Sequence, residues 1–111
     1  NERVRSKSEL IIAESLIKNN ILFHYEYPIK INNAVFYPDF CCYNINKRKP
    51  IFWEHFGMMD NLEYLNKAIE KIKFYQENNF QIGTDVVFTM ESSSVPISSK
   101  QIEKVIKQYF A

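Results

Sequence analysis

Two strand-forming runs, each with one carboxylate inside it, constrain this fold more than any other feature of the sequence. The first run is VFYPDFCCY, residues 35–43, and the second is IFWEHF, residues 51–56. Their aromatic and β-branched residues favour extended backbone, and the polar stretch NINKRKP between them predicts a loop. Asp39 and Glu54 therefore lie in two segments that are expected to be neighbouring strands of a sheet.

Side chains alternate along a strand, so Glu54 is expected on the same face as Phe52 and Phe56, and Asp39 on the same face as Cys41. If the two strands pair as antiparallel neighbours, the two acids lie side by side. Like charges so placed repel each other unless something neutralises them.

Two explanations for this acidic pair are open. Mg²⁺ or Mn²⁺ would neutralise the pair, because hard divalent cations prefer carboxylate oxygen. Alternatively, each acid sits at a strand end and faces solvent, or pairs with a base such as Lys30, Lys47 or Arg48.

The rest of the chain supplies helices and further strands. Ser6 and Glu9 form a capping box before an apolar helical repeat, which predicts a helix over residues 6–19. Asn32 and Asn33 predict a hairpin turn between strands at 22–31 and 35–43. The other predicted elements are a helix over 61–79, a strand over 85–90 and a helix over 99–110. This order, α-β-β-β-α-β-α, predicts an α/β (α+β) fold with a central mixed sheet flanked by helices.

Composition favours one globular domain. The chain has 111 residues, 46% of them hydrophobic, and a formal charge of +1, so bulk charge does not indicate a nucleic-acid partner. No run of about 18 apolar residues and no secretory signal is visible, which predicts a cytoplasmic protein with no membrane association. The first residue, Asn1, suggests a domain cut from a longer polypeptide with further domains. Cys41 and Cys42 point to opposite strand faces and are interpreted as small buried hydrophobes.

A family resemblance rests on the acidic residues. Pro38-Asp39, then Glu54 after fourteen residues, with Glu9 on a preceding helix, resembles the PD-(D/E)XK nuclease superfamily, whose fold is restriction-endonuclease-like. The stretches RSKSELIIAESL, YPDF, WEHFGMMD and KIKFY resemble a group of bacterial nuclease-like domains. The resemblance spans residues 5 to about 91.

The resemblance implies a metal-dependent nuclease acting on DNA. Asp39 and Glu54 would bind Mg or Mn, and the main-chain carbonyl of His55 would be a further ligand. The cation would activate water for phosphodiester hydrolysis. Glu9 would complete the acidic cluster or hold a water of the ion; it also serves as the capping-box partner of Ser6, and both roles can hold.

The sequence departs from the family at the motif lysine, where it has Phe56. Some members carry this lysine on the following helix, and at 100° per residue Lys71 lies about 120° from Leu65, the centre of the apolar face. Lys71 is thus a candidate catalytic residue at the border of the buried face, whereas Lys67 lies nearer to solvent. The alternative is that Lys71 only extends its ammonium group into water.

Other residues are candidates for nucleic-acid contact. Ser6 and Lys7 at the first helix N-terminus are suited to a phosphate, although capping alone explains the serine. Tyr64 and Lys67 belong to an interleaved set of tyrosines and lysines that is suited to stacking and phosphate contact. The His55 side chain is interpreted as a structural or supporting residue.

Two other functions remain open. The chain is alternatively an inactive nucleic-acid-binding or structural domain of the same fold within a larger DNA-processing protein. A homodimer for double-strand cutting is also left open.

Overall fold

The computed structural model describes residues 6–44 and 46–110. Residues 1–5, 45 and 111 lie outside the described part, and with them the start of the nuclease-like match at Arg5. The helices are α1 (Lys7–Lys18), α2 (Leu62–Glu77) and α3 (Ser99–Phe110), and the strands are β1 (Leu22–Tyr25), β2 (Ile29–Ile31), β3 (Ala34–Phe36), β4 (Phe40–Tyr43), β5 (Ile51–Phe56) and β6 (Val86–Met90). None of the described helices combines the length and hydrophobicity that a membrane-spanning segment needs.

The predicted hairpin forms, but each of its arms is divided in two. The outer halves, β1 and β4, pair with Leu22 opposite Tyr43, and the inner halves, β2 and β3, pair with Ile29 opposite Phe36, which is the same register. Glu26 has a positive φ of 52°, and Pro28 and Pro38 lack an N–H, so the ladder is interrupted between the halves. Consequently β2 and β3 form a separate two-stranded sheet.

The tip of this hairpin follows the predicted turn chemistry. Asn32 and Asn33 both have positive φ, at 49° and 70°, as a two-residue type I′ turn requires. The tip is also tied to the end of α2, because Asn32 Nδ2 donates to Asn78 Oδ1 at 2.9 Å.

The main sheet is mixed and has four strands in the order β1-β4-β5-β6. Strand β4 is antiparallel to both β1 and β5, whereas β6 is parallel to β5 and follows it through α2. Phe40 pairs with Trp53. This central position explains why all six residues of β5 are buried.

Helices cover both faces of the sheet. On one face, Ile12 of α1 and Ile102 of α3 belong to a core cluster with Phe40 and Trp53. On the other face, Tyr75 of α2 packs with Cys41 and Phe52. The fold is therefore α+β with a mixed sheet flanked by helices, as expected, and the two free cysteines are buried.

The face that α2 presents to the sheet differs from the predicted one. The buried residues of α2 are Ala68 and Tyr75, whereas Leu62 and Ile69 are 73% and 46% exposed. Lys71 lies 60° from Ala68 at 100° per residue and its side chain is 32% exposed, so it lies at the edge of the sheet-facing stripe, closer to the centre of that stripe than predicted. The hydrophobic pattern was misleading because this stripe carries two polar groups, those of Lys71 and Tyr75, which contact the buried Glu54 of β5.

Candidate active site

Asp39 and Glu54 lie beside each other on the α2 face of the sheet. Asp39 immediately precedes β4, and the register that pairs Phe40 with Trp53 continues to place Asp39 opposite Glu54. The backbone N–H of Asp39 donates to Glu54 Oε1 at 3.3 Å, and the N–H of His55 donates to Asp39 Oδ2 at 2.8 Å. The structure thus brings together the two acids that the sequence pattern singled out.

Glu54 is fully buried, and the groups around it compensate for its negative charge. The Lys71 ammonium lies 2.7 Å from Glu54 Oε1, and the Tyr75 hydroxyl donates to Glu54 Oε2. Burial lowers the pKa of Lys71, but the carboxylates of Glu54 and Asp39 outweigh that effect and raise it above its ordinary value. Burial and the same glutamate raise the pKa of Tyr75, so its hydroxyl remains a hydrogen-bond donor. A helix-borne lysine therefore supplies the countercharge at Glu54.

Asp39 carries negative charge that its surroundings do not fully balance. Burial and the neighbouring Glu54 carboxylate raise its pKa from 3.8 to about 7, although Lys71 opposes this rise. Lys71 also donates to the Tyr37 carbonyl at 3.3 Å. One ammonium group thus lies beside two carboxylates.

Glu9 adds a third carboxylate to this region. Its backbone N–H is capped by the Ser6 hydroxyl at 3.1 Å, while its carboxylate accepts from the Tyr25 hydroxyl at 2.6 Å. Burial raises the pKa of Glu9, Tyr25 lowers it and Asp39 raises it further. The backbone of Glu9 thus serves the helix cap, and its side chain faces the acidic cluster.

The His55 carbonyl points toward the β4 side of β5. Because the N–H and C=O of a strand residue point to the same edge, the N–H that reaches Asp39 places the carbonyl on the β4 side. The residue in register there is Pro38, which has no N–H to donate to that carbonyl. Pro38 therefore interrupts the ladder directly beside Asp39.

The His55 ring lies on the opposite face of the sheet, as expected from strand alternation. Its Nδ1 is 2.8 Å from Thr89 Oγ1, and its Nε2 is 2.7 Å from Glu91 Oε2. The ring is buried with both nitrogens partnered, which fits a supporting role. Phe56, at the motif lysine position, is 4% exposed and packs against Phe88.

The predicted nucleic-acid contacts line two pockets that both border Asp39. A cleft of about 490 Å³ is lined by Ser6, Lys7, Glu9 and Asp39, among others. A smaller recess of about 180 Å³ is lined by Asp39, Tyr64, Lys67 and Lys71, among others. Tyr64 is anchored there, because its hydroxyl accepts from the Gly57 N–H at 2.9 Å.

The structure gives two residues of the site contacts that the sequence did not predict. Tyr75 belongs to the interleaved set of tyrosines and lysines, but its hydrogen bond to Glu54 depends on how α2 docks on the sheet. Glu91 follows β6 directly and carried no local signal. Burial raises the pKa of Glu91, but hydrogen bonds from Ser8, the Ile97 amide and His55 outweigh that effect and hold it below its ordinary value.

The donor groups can be compared with those that a cation requires. Within residues 6–44 and 46–110, no group of three or more His, Cys, Asp and Glu side chains is arranged to hold a metal ion. The chemistry of the donors nevertheless fits Mg²⁺ or Mn²⁺, because Asp39, Glu54 and the His55 carbonyl offer only oxygen. An ion at Glu54 Oε1 would compete with Lys71 for that oxygen.

No family model matches the chain. The chain is similar to the uncharacterized protein MJ1519 of Methanocaldococcus jannaschii, with 30% identity over 117 aligned residues that include 94% of this chain and 10% of that protein. The chain therefore spans about a tenth of the length of that relative.

Proposed function

We propose that this chain is a metal-dependent nuclease domain with a restriction-endonuclease-like core, and that it hydrolyses phosphodiester bonds of DNA. One observation carries the proposal. Asp39 and Glu54 come from adjacent strands and meet the Lys71 ammonium, which lies 2.7 Å from Glu54 Oε1. Two carboxylates that can hold a divalent cation, one lysine and a bordering cleft are suited to metal-assisted phosphodiester hydrolysis.

Each of these residues has its own role in the proposed reaction. Asp39, Glu54 and the His55 carbonyl would hold Mg²⁺ or Mn²⁺, which supplies Lewis-acid stabilisation of phosphate charge and a lowered pKa for water. Lys71 would take the role of the motif lysine, whose position is occupied by Phe56 in this sequence. Its ammonium group would stabilise negative charge that develops on the phosphate.

The acidic cluster itself supports a cation. Asp39 and Glu54 lie beside one ammonium group, the charge of Asp39 raises the pKa of Glu9, and the pKa of Asp39 is itself raised to about 7. A divalent cation would remove the repulsion between these groups and favour their ionised forms.

Ser6, Lys7, Tyr64 and Lys67 are proposed to contact the nucleic acid. They lie at the cleft and at the smaller recess, both of which border Asp39. Hydroxyl and ammonium groups suit phosphate contacts, which position a strand without reading its sequence.

A second function is favoured by the burial of Glu54. Both of its carboxylate oxygens are already bound within the chain, to Lys71 and to Tyr75, and the side chain is fully buried. This arrangement also suits a domain of the same fold that binds nucleic acid without cleaving it. The much greater length of the relative is compatible with such a domain in a larger protein.

Calorimetric titration with Mg²⁺ and Mn²⁺, combined with cleavage assays on single- and double-stranded DNA, separates the two functions. The nuclease proposal expects metal binding and cleavage, with a loss of about 100-fold or more in Asp39→Asn and in Lys71→Ala. Lys73→Ala is the matched control, since Lys73 is an exposed lysine of the same helix. DNA binding without cleavage, unchanged in Lys71→Ala, would establish the inactive domain instead.

A further inference from the structure

Glu91 joins three parts of the chain that otherwise lie far apart in sequence. Its Oε2 lies 2.7 Å from His55 Nε2 on β5, and its Oε1 accepts from the Ile97 N–H at 2.9 Å in the segment before α3. Ser8, in the first turn of α1, lines the same cleft as Glu91, and a hydrogen bond from its hydroxyl lowers the pKa of the Glu91 carboxylate. The side chain is 12% exposed, so these contacts are largely shielded from water.

The backbone of Glu91 is fixed as well. Its N–H donates to the Phe56 carbonyl at 2.9 Å, and its carbonyl accepts from the Met59 N–H at 3.1 Å. A carboxylate on such a fixed backbone can hold a helix end in place. The end it holds is that of α1, where Ser8 precedes Glu9.

The His55 side of this connection is equally well supported. Thr89 Oγ1 lies 2.8 Å from His55 Nδ1 and accepts from the Trp53 indole N–H at 2.9 Å. Trp53, His55 and Thr89 are all buried. A hydrogen-bonded chain therefore runs through the core from Trp53 to the first turn of α1.

We propose that Glu91 is a positioning residue that, through Ser8 and His55, holds the first turn of α1 so that the Glu9 carboxylate faces Asp39. This inference rests on the proposed function, in which Glu9 completes the acidic cluster. Groups that orient metal-binding residues commonly change metal affinity by about 10- to 100-fold when they are removed.

The test measures the dissociation constant for Mn²⁺ alone and the thermal unfolding midpoint in four chains: native, Glu91→Ala, Ser8→Ala and Glu103→Ala. Ser8→Ala breaks the connection and leaves the Glu91 carboxylate intact. Glu103→Ala is the matched control, since Glu103 accepts from Asn19 at 3.1 Å and so ties the opposite end of α1 to α3.

The proposal expects Glu91→Ala to weaken Mn²⁺ binding by about tenfold or more, Ser8→Ala to weaken it in the same direction, and Glu103→Ala to leave it unchanged. Weaker binding in Glu91→Ala alone would overturn the proposal, because Glu91 would then contact the ion itself. The proposal would also be overturned if Mn²⁺ affinity fell in all three variants in proportion to the fall in their unfolding midpoints. The role of Glu91 would then be purely structural.

If the native chain binds no Mn²⁺, the proposed function is refuted. The positioning role of Glu91 is then tested without metal. Glu9→Gln, Asp39→Asn and the double variant form a cycle whose non-additivity in unfolding midpoint reports the repulsion between Glu9 and Asp39. The proposal expects this non-additivity in the native background and its loss in the Ser8→Ala background. Equal non-additivity in both backgrounds would refute it.

Discussion

Removing the charge of Asp39 is expected to stabilise the metal-free chain at pH 8. Burial and the Glu54 carboxylate raise the pKa of Asp39 to about 7 in the folded state, whereas the unfolded chain releases this proton near 3.8. Asp39→Asn keeps an oxygen that can accept from the His55 N–H, so the substitution removes charge without removing the hydrogen bond.

The sign follows from proton linkage. Between pH 3.8 and about 7 the folded state holds a proton that the unfolded state has released. The contribution of Asp39 to stability is therefore fully present below pH 3.8 and is lost as the pH rises through about 7. At 1.36 kcal/mol per pKa unit, the interval corresponds to a loss of about 4 kcal/mol. Because the cleft admits solvent that screens the charge, we expect Asp39→Asn to gain about 2 to 4 kcal/mol at pH 8.

Urea unfolding of both chains at pH 5 and pH 8, in the presence of a chelator, measures this gain. The difference between the chains should shrink to about 1 to 1.5 kcal/mol at pH 5, because only the interval from 3.8 to pH 5 contributes there. Equal stability at pH 8, or a gain that does not change between the two pH values, would refute the reasoning.

Asp85→Asn is a control with the opposite sign. Hydrogen bonds from Lys49 and from the Gln81 N–H hold the pKa of Asp85 below its ordinary value, so this carboxylate contributes stability that is lost as the pH falls. Asp85→Asn should therefore lower stability at pH 8, and this loss should diminish towards acid pH. A gain in both variants would indicate a general effect of charge rather than the local repulsion at Asp39.

Two further substitutions test the surroundings of Glu54. Tyr75→Phe removes the hydroxyl that donates to Glu54 Oε2, so the free energy of unfolding at pH 8 should fall by about 1 to 3 kcal/mol. A loss below about 0.5 kcal/mol in urea unfolding would show that the fold does not depend on this hydrogen bond. Phe56→Lys restores the lysine position of the family motif but places an ammonium group at a site that is 4% exposed. It should destabilise the chain by about 3 kcal/mol or more without raising the cleavage rate, and a faster rate would contradict the assignment of the lysine role to Lys71.

Much of the fold was predictable because its signals are local. Strand β5 and helix α3 have the predicted bounds, and the Asn32-Asn33 turn adopts the expected positive φ angles. The division of the hairpin was missed, although Pro28 and Pro38 lay within the predicted strands. A proline ends a ladder only where its missing N–H faces the partner strand, and that depends on the pairing.

The candidate site was predictable in part for the same reason. The alternation of side chains along a strand was sufficient to place Asp39 and Glu54 on one face and the His55 ring on the other. Lys71 was assigned to the border of α2 because hydrophobicity alone selected Leu65 as the centre of the buried face. Its actual position depends on the buried carboxylate of Glu54, which lies on another element.

Apart from the division of the hairpin, the sequence by itself determined the order of helices and strands, the turn of the hairpin and the shared face of the two acids, since each depends on residues close together in the chain. Only the tertiary structure decided that Lys71 and Tyr75 surround Glu54 and that Glu91 reaches Ser8 and His55. A buried charge must be matched by groups within a few ångströms in space, and a linear pattern does not specify which distant residues those are.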